Sequence, residues 1–290
     1  MKNTKKIILI TGSTQGLGKI TATELAKEGH QIIIHGRNKN KLEKVRNKII
    51  QITGNNNIDI IVADLLSLED TVKMSNEIIT NYDKLDILIN NAGAFFNKNR
   101  EETEEGFEKT ITLNLFAPFI LMKSLADLLA KSDEGRIINL SSAMHKRGGK
   151  PNFSDFQLKN DYKPDKAYGL SKLYLIWISR HMVSYLKDRG INNVTVNVCH
   201  PGAAATNFGQ DADKGFLFNL IFKVALLVMD KPEKGAMTSI YLASSPDVKN
   251  VTGQFFGNRN NIQKPDDRYY SKINEQKVWD YCIEITKKYL

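Results

Sequence analysis

Cysteine is scarce in this chain, and its few histidines follow no metal-binding pattern. The 290 residues include two cysteines and five histidines. Two cysteines, Cys199 and Cys282, are too few for a disulfide framework, and their spacing is not that of metal ligands. We therefore expect reduced structural thiols in a cytoplasmic protein, and no bound metal.

Long hydrophobic runs are also missing. The apolar run at 7–10 has four residues, and the mostly apolar stretch at 216–229 has fourteen, of which Asn219 and Lys223 are polar. A signal peptide needs a longer apolar core than the first run, and a membrane-spanning helix needs about 20 apolar residues. The second run has the length and composition to lie on a membrane surface, so peripheral membrane contact stays open.

Basic residues outnumber acidic ones without forming a nucleic-acid signature. The chain has 41 Lys and Arg against 32 Asp and Glu, a formal net charge of +9. The basic residues are scattered, and no ladder of aromatic and basic side chains accompanies them. We interpret the charge as compositional bias and expect no nucleic-acid partner.

Short apolar runs alternate with longer amphipathic stretches along the whole chain. Strands are predicted at 7–11, 31–35, 59–63, 86–90, 136–141, 194–199 and 254–256, and helices near 16–28, 39–53, 67–82, 104–131, 167–188, 233–243 and 272–288. Apolar strands separated by helices indicate a parallel sheet covered on both faces. We predict one α/β domain over 1–290, a doubly wound Rossmann-type fold with about seven strands. A β/α-barrel also alternates strand and helix, but it has no need for the glycine turn described next.

A glycine-rich turn, "TGSTQGLG" at 11–18, follows the first predicted strand. In a doubly wound sheet this turn faces a dinucleotide, because glycine permits positive φ and close approach of the backbone to a pyrophosphate. Its spacing is G-x3-G-x-G rather than the more familiar G-x-G-x2-G, and taken alone it also suits a plain tight connection. The predicted cofactor contacts here are Gly12, Ser13, Thr14, Gln15, Gly16, Leu17 and Gly18.

The second predicted strand lacks the acidic residue that NAD sites place near its end. Gly36 and Arg37 stand there instead. The guanidinium of Arg37 could bind the 2′-phosphate of NADP(H), and no carboxylate is present to repel that phosphate. Alternatively, Arg37 is a solvated charge at the start of the next helix. We predict NADP(H) as the cofactor, with NAD(H) as the second candidate.

Small and polar residues follow the later strands, at the same edge of the predicted sheet. Small residues there let a cofactor lie flat against the backbone, and together with the glycine turn they line one crevice. The residues concerned are Asp64, Leu65, Asn91, Ala92, Gly93, Pro201, Gly202 and Thr206.

Tyr168 and Lys172 stand four residues apart in "AYGLSKLYLIW" and share one face of a predicted helix. Such a pair is common at helix surfaces, but its context is specific here. The strand before this helix ends in Ser141 and Ser142, at the same sheet edge. The sequence therefore brings a phenol, an ammonium and a hydroxyl to the predicted crevice.

Asn114 lies in the predicted helix 104–131, four residues before Pro118. Proline lacks the N–H that would bond the carbonyl of Asn114, and its ring opens that turn. A water bound to the freed carbonyl would link Lys172 to solvent and return a proton to Tyr168. The acidic run at 100–108 is expected to be the solvated start of this helix.

These motifs resemble those of the short-chain dehydrogenase/reductase family, in the same order and over almost the whole chain. The matches are T-G-x3-G-x-G at 11–18, D-L at 64–65, N-N-A-G at 90–93, Asn114, the serine of "NLSS", Y-x3-K at 168–172 and P-G-x3-T at 201–206. The resemblance implies that Asp64 lies near the adenine and 201–206 near the nicotinamide. It also implies that Ser142 is the catalytic serine and that Lys172 binds the nicotinamide ribose.

A narrower resemblance is to the retinol dehydrogenase-like branch of that family. The long interval between Ser142 and Tyr168 resembles its insertion, assigned here to 143–164, and a substrate-covering segment is expected at 203–232. We predict that 216–229, with Phe153 and Phe156, makes an apolar pocket for a lipophilic substrate. The alternatives for this segment are a homodimer contact and a membrane contact.

The implied chemistry is hydride transfer between a nicotinamide and an alcohol or carbonyl, with Tyr168 as general acid/base. The ordinary pKa of tyrosine is about 10, and the Lys172 ammonium with the oxidised cofactor is expected to lower it by roughly 2–3. The chain is thus predicted to be an NADP(H)-dependent oxidoreductase acting on a lipophilic alcohol or carbonyl compound. A non-catalytic NADP(H)-binding regulator and a peripheral lipid-binding protein are the alternatives, which the complete set of Tyr168, Lys172, Ser142 and Asn114 disfavours.

Overall fold

The computed structural model describes residues 5–202 and 232–290. Seven parallel strands form one sheet in the order β3-β2-β1-β4-β5-β6-β7. The strands are β1 (Ile7–Ile10), β2 (Gln31–Gly36), β3 (Ile58–Val62), β4 (Ile87–Asn90), β5 (Gly135–Leu140), β6 (Val194–Cys199) and β7 (Phe255–Phe256). The predicted doubly wound parallel sheet is confirmed.

Nine helices connect or flank these strands within the described residues. They are α1 (Gly16–Lys27), α2 (Lys39–Thr53), α3 (Leu68–Asn81), α4 (Lys109–Ile111), α5 (Ala117–Ser124), α6 (Ala126–Ala130), α7 (Pro164–Asp188), α8 (Pro232–Ser244) and α9 (Lys272–Thr286). Local signals set several of the ends: Asn38 and Ser67 accept backbone N–H bonds at the starts of α2 and α3, and Gly54 ends α2 with positive φ.

The sheet has a separate apolar core on each face, because successive strand residues point to opposite sides. Ile8 and Ile10 of β1 pack with α1, α2 and α8, whereas Leu9 packs with the layer that contains α3, α5, α7 and α9. This alternation explains why the strands are apolar throughout: both faces are buried.

The predicted helix 104–131 is wrong in its start and its continuity. Helix α4 begins only at Lys109, because the buried carboxylate of Glu108 accepts the N–H groups of Thr110 and Ile111, at 2.9 and 2.7 Å. A π-helical turn and a break at Leu125 then separate α4, α5 and α6.

The acidic run before α4 is not simply solvated, as the sequence led us to expect. Glu105 caps helix α3, since its carboxylate accepts the N–H groups of Leu68 at 3.0 Å and Glu69 at 3.2 Å. Glu108 is fully buried. Two of these carboxylates therefore bind N–H groups in the first turns of α3 and α4, which lack partners within their own helix.

Phe156 belongs to the core and not to a substrate pocket, which corrects that prediction. Its ring stacks on Tyr281 of α9 and Tyr174 of α7, with centroids 4.0 and 4.8 Å apart. Phe153 is half-buried and packs against the same core, with the Lys277 ammonium 5.2 Å from its ring centroid. The segment 143–164, predicted to be an insertion, is thus anchored to α7 and α9 by aromatic packing.

None of the described helices is both long enough and apolar enough to cross a membrane. The predictions for Thr206 and for 216–229 lie outside the described residues, as does most of the predicted substrate-covering segment.

Candidate active site

The strand order changes direction between β1 and β4, and in a doubly wound sheet the carboxyl ends of the strands leave a crevice at this point. The glycine turn lies there after β1. Gly12 has a φ of +63°, and a methyl group on it would lie 2.9 Å from the Cα of Ala92. Only glycine permits this backbone conformation and this close approach.

The loop after β4 holds the glycine turn in place. Asn91 donates its side-chain amide to the carbonyl of Thr11 at 2.7 Å, and that of Gly12 at 3.2 Å. The Thr11 hydroxyl accepts the backbone N–H groups of Asn91 and Ala92. The predicted cofactor residue Asn91 therefore shapes the turn with its side chain.

His35, at the end of β2, is a residue that sequence reasoning missed. Its Nδ1 accepts the N–H of Gly12 at 3.0 Å, so its Nε2 carries the proton and donates to the carbonyl of Ala63 at 3.2 Å. Burial lowers the pKa of His35 to about 4. Ser13 is also buried, and its hydroxyl accepts the backbone N–H of His35 at 2.8 Å. A neutral histidine thus locks the turn onto β2 and β3.

Helix α1 begins at this turn with its N–H groups facing the crevice. Within the described chain, no side chain caps α1 at Gln15. An uncapped helix N-terminus behind a glycine turn fits a pyrophosphate, since its N–H groups and dipole favour an anion. Thr14, Gly16 and Leu17 are half-buried at the same place, and Gly18 packs beneath them.

The residues predicted to bind the adenosine part of the cofactor follow the carboxyl ends of β2 and β3. Arg37 is exposed directly after Gly36, where a methyl group would lie 2.5 Å from the Thr14 side chain. Asp64 is half-buried, and its carboxylate accepts the N–H of Leu66 at 3.0 Å. Leu65 is buried in the core.

Ser142, Tyr168 and Lys172 meet on the other side of the crevice. The Ser142 hydroxyl lies near enough to the Tyr168 hydroxyl to lower the pKa of the phenol. Lys172 is buried, donates from Nζ to the carbonyl of Leu140 at 2.9 Å, and lies 5.7 Å from the Tyr168 ring centroid. Helix α7 and the end of β5 therefore assemble the predicted phenol, ammonium and hydroxyl.

Asn114 reaches the same place from a widened helical turn. The π-helical turn Thr112–Phe116 comes just before Pro118, which confirms that the helix opens there. The Asn114 amide donates to the carbonyls of Ala94 and Thr110, both at 2.9 Å. Its Oδ1 is buried and has no hydrogen-bond partner among residues 5–202 and 232–290.

Because Gly93 has no side chain, a small space remains between Asn114 and Lys172. A methyl group on Gly93 would lie 2.7 Å from Asn114 Oδ1 and 3.1 Å from Lys172 Nζ. An acceptor without a partner and an ammonium therefore face one small gap beside the cofactor crevice. This donor and acceptor pair fits a hydroxyl-bearing group such as a cofactor ribose.

Burial disfavours the charged forms of both ionisable groups. It raises the pKa of Tyr168, against a smaller opposite effect of the hydrogen bond from Ser142. It lowers the pKa of Lys172 to about 7, with a small opposite contribution from the Cys199 thiol. The protein alone thus does not lower the pKa of Tyr168, and the lowering expected in the cofactor complex stays a prediction.

Several neighbours complete the site. The Phe95 ring, missed by sequence reasoning, lies 5.5 Å from that of Tyr168. Pro201 and Gly202 are half-buried after β6, and the Gly202 N–H donates to His200 Nδ1 at 3.1 Å. In the described part of the chain, no group of histidine, cysteine or carboxylate side chains is arranged to hold a metal.

A model of the short chain dehydrogenase family matches residues 6–215. The chain belongs to the short-chain dehydrogenase family. Retinol dehydrogenase 14 of Mus musculus is 36% identical over 263 residues, which cover 87% of this chain and 77% of that protein. Polyprenol dehydrogenase of Homo sapiens is 32% identical, over 97% of this chain and 85% of its own. The likeness to the retinol dehydrogenase-like branch is confirmed.

Solved structures of short-chain dehydrogenases share the fold. One from Shigella flexneri, complexed with NADP, has a TM-score of 0.68 at 24% identity, and covers 88% of this chain and 97% of its own. A protein from Mycobacterium Paratuberculosis has a TM-score of 0.76 at 24% identity, and covers 97% and 93%. At this identity the likeness establishes the architecture of this short-chain dehydrogenase and no more.

Proposed function

We propose that this short-chain dehydrogenase is an NADP(H)-dependent oxidoreductase that interconverts an alcohol and an aldehyde or ketone on a lipophilic small molecule. One observation carries the proposal: Lys172 Nζ is buried 5.7 Å from the Tyr168 ring centroid, and the Ser142 hydroxyl lies near enough to Tyr168 to lower the pKa of its phenol. A binding module has no need for a proton-transferring phenol held in this way.

NADP(H), when bound, supplies or accepts the hydride. Tyr168 gives a proton to the carbonyl oxygen during reduction and takes one from the alcohol during oxidation. Ser142 donates a hydrogen bond to the same oxygen and stabilises its developing negative charge. Lys172 and Asn114 offer a donor and an acceptor to the cofactor ribose, and the Lys172 ammonium favours the phenolate of Tyr168.

The preference for NADP(H) rests on the end of β2. Gly36 places no carboxylate there, and the exposed guanidinium of Arg37 is free to meet a 2′-phosphate. The cofactor turn would then bind through Gly12, Gly16 and Gly18. The NADP in the related Shigella structure supports this choice.

The lipophilic substrate is supported by the names of the relatives, which include a retinol and a polyprenol dehydrogenase. The half-buried Phe95 beside Tyr168 offers an apolar contact next to the reacting oxygen. In this proposal residues 1–290 form one domain, with 143–164 as an insertion and 203–232 as the segment that covers the substrate.

The test is turnover of Tyr168→Phe with NADPH, on retinoid, polyprenoid and short-chain aldehydes. Loss of the proton donor should lower kcat by about 10²–10⁴-fold, while the Kd for NADPH stays unchanged because the hydroxyl is not needed for cofactor binding. Tyr174→Phe is the matched control, since Tyr174 is buried in the core on the same helix. Full activity in Tyr168→Phe contradicts the mechanism. NADPH binding without turnover by the wild type would instead favour a regulator.

A further inference from the structure

The turn that carries Ser142 contains a deeply buried histidine that the proposed mechanism does not use. Ser142 is followed by one 3-10 turn, Ala143–Arg147, in which His145 is only 2% exposed. A polar ring at that depth needs partners for both of its nitrogens.

The first nitrogen binds the backbone of the serine itself. His145 Nδ1 lies 2.6 Å from the carbonyl oxygen of Ser142, which also accepts the backbone N–H of His145 at 3.0 Å. The Ser142 hydroxyl accepts the N–H of Met144 at 3.2 Å. Two donors on one carbonyl fix the orientation of the peptide plane that follows Ser142.

The second nitrogen binds a remote part of the chain. His145 Nε2 lies 3.0 Å from the backbone nitrogen of Asp266, which is 121 residues further along. A backbone N–H can only donate, so Nε2 accepts and the proton of the neutral ring is on Nδ1. That tautomer is the one that donates to Ser142.

The remote segment is itself fastened beside the turn. The carboxylate of Asp266 pairs with Arg268, whose guanidinium donates to the carbonyl of Lys146 at 2.7 Å. The His145 ring also packs edge-on against Phe255 of β7, with centroids 5.2 Å apart. Both β7 and the segment that follows it therefore contact the histidine.

We propose that His145 is a positioning residue for Ser142, which sets the serine turn through its Nδ1–H and fastens that turn to the chain at Asp266. This inference rests on the proposed function, because it assigns Ser142 a catalytic role. The charged and titratable groups around the ring are Lys146, Asp266, Arg268 and His200. Burial lowers the pKa of His145, so the ring remains in the neutral form that both hydrogen bonds require.

Two substitutions separate the two hydrogen bonds. The amide nitrogen of His145→Asn stands near the place of Nδ1 and keeps a donor for the Ser142 carbonyl. The amide of His145→Gln reaches the place of Nε2 and keeps an acceptor for Asp266. His181→Asn is the control, because His181 is a partly buried histidine that stacks on Trp279 and pairs with Glu275, away from the serine turn.

The measurements are kcat with NADPH, the Kd for NADPH, and Tm. We expect kcat to fall at least about tenfold in His145→Gln, because a displaced serine loses its alignment with the substrate oxygen. His145→Asn should retain most of kcat, and the Kd for NADPH should stay within about twofold in both. The control should lose Tm but not kcat.

Wild-type kcat in His145→Gln would overturn the inference, as would losses in both variants that only follow Tm. The wild type and Tyr168→Phe are measured alongside them. Turnover by the wild type that survives His145→Gln would remove the positioning role alone, whereas a wild type without turnover would overturn the proposed function together with this inference.

Discussion

The two halves of the candidate site differ in what holds them. In the cofactor half, backbone hydrogen bonds, Asn91 and the neutral His35 fasten the glycine turn. In the half that we propose to be catalytic, Tyr168 and Lys172 are buried, and burial disfavours the charged form of each. The first half is ready for its ligand, whereas the second is electrostatically unfavourable until the ligand arrives.

The two halves are therefore expected to gain different amounts of stability when the cofactor binds. An anion on the glycine turn meets N–H groups that are already aimed at it, so little reorganisation is needed. A ligand hydroxyl between Lys172 and Asn114 would instead accept a hydrogen bond from the desolvated Lys172 and donate one to Asn114 Oδ1. That oxygen has no hydrogen-bond partner among the described residues, so both bonds stabilise the complex. We therefore expect the cofactor to stabilise the catalytic half more than the glycine turn.

The largest expected effect is in Lys172→Met. The folded pKa of Lys172 is about 7 against an ordinary 10.5, so between these values the unfolded chain binds more protons and stability rises with pH. Below about pH 7 the folded protein bears the full free-energy cost of charging the buried Lys172, which is about 5 kcal/mol. Lys172→Met should remove this dependence, which urea unfolding of the cofactor-free protein between pH 7 and 10 measures.

The control for that experiment is Lys187→Met, on the exposed end of the same helix. It should reproduce the wild-type slope of stability against pH. If Lys172→Met keeps that slope as well, the burial of Lys172 is not the cause of the pH dependence, and the contrast between the two halves is wrong.

A smaller effect is expected in the cofactor half, and in a different pH window. The folded pKa of His35 is about 4 against an ordinary 6.5. Stability is therefore fully present above pH 6.5 and is lost as the pH falls towards 4, by about 3 kcal/mol. His35→Asn, whose side-chain oxygen still accepts the Gly12 N–H, should show less of this acid loss in unfolding curves.

His35→Asn should also bind NADPH with little change, because the turn keeps its hydrogen bond. An unchanged acid slope in this variant would show that another group titrates there. A large loss of NADPH affinity would show that the turn needs the bond to Ala63 as well.

The smallest expected effect sharpens the choice of cofactor. Arg37→Ala should weaken NADPH binding by about 1.5–3 kcal/mol, as for hydrogen bonds to charged groups, and leave NADH binding nearly unchanged. Fluorescence titration with both cofactors measures this. Lys39→Ala is the matched control, since Lys39 is an exposed cation two residues further along, at the start of α2. Equal losses for the two cofactors would assign Arg37 a structural role.

Much of the site was predictable because its signals are local. The glycines of the turn, the four-residue spacing of Tyr168 and Lys172, and Pro118 after Asn114 each state a backbone requirement within a few residues. The strand order then brings them to one edge, as the alternation of strands and helices predicted. The widened turn at Asn114 followed from proline chemistry alone.

Other features depended on partners far along the chain. Nothing near His145 in the sequence indicates that it contacts Asp266, so no role was predicted for His145. Nothing near Phe156 indicates that it stacks on Tyr281, so Phe156 was wrongly predicted to line a substrate pocket. Glu108 lies in an acidic run that was predicted to be solvated, but its side chain is buried and caps α4.

The doubly wound sheet and the side chains at its carboxyl edge could be predicted from the amino-acid sequence, because periodicity and glycine or proline geometry act over a few residues. The family followed from the order of its motifs. The protonation states of those side chains, and the residues that support them, required the folded structure. Burial and hydrogen-bond partners set these, and both arise from segments such as β2 with Gly12, or Asp266 with His145, that meet only in the folded chain.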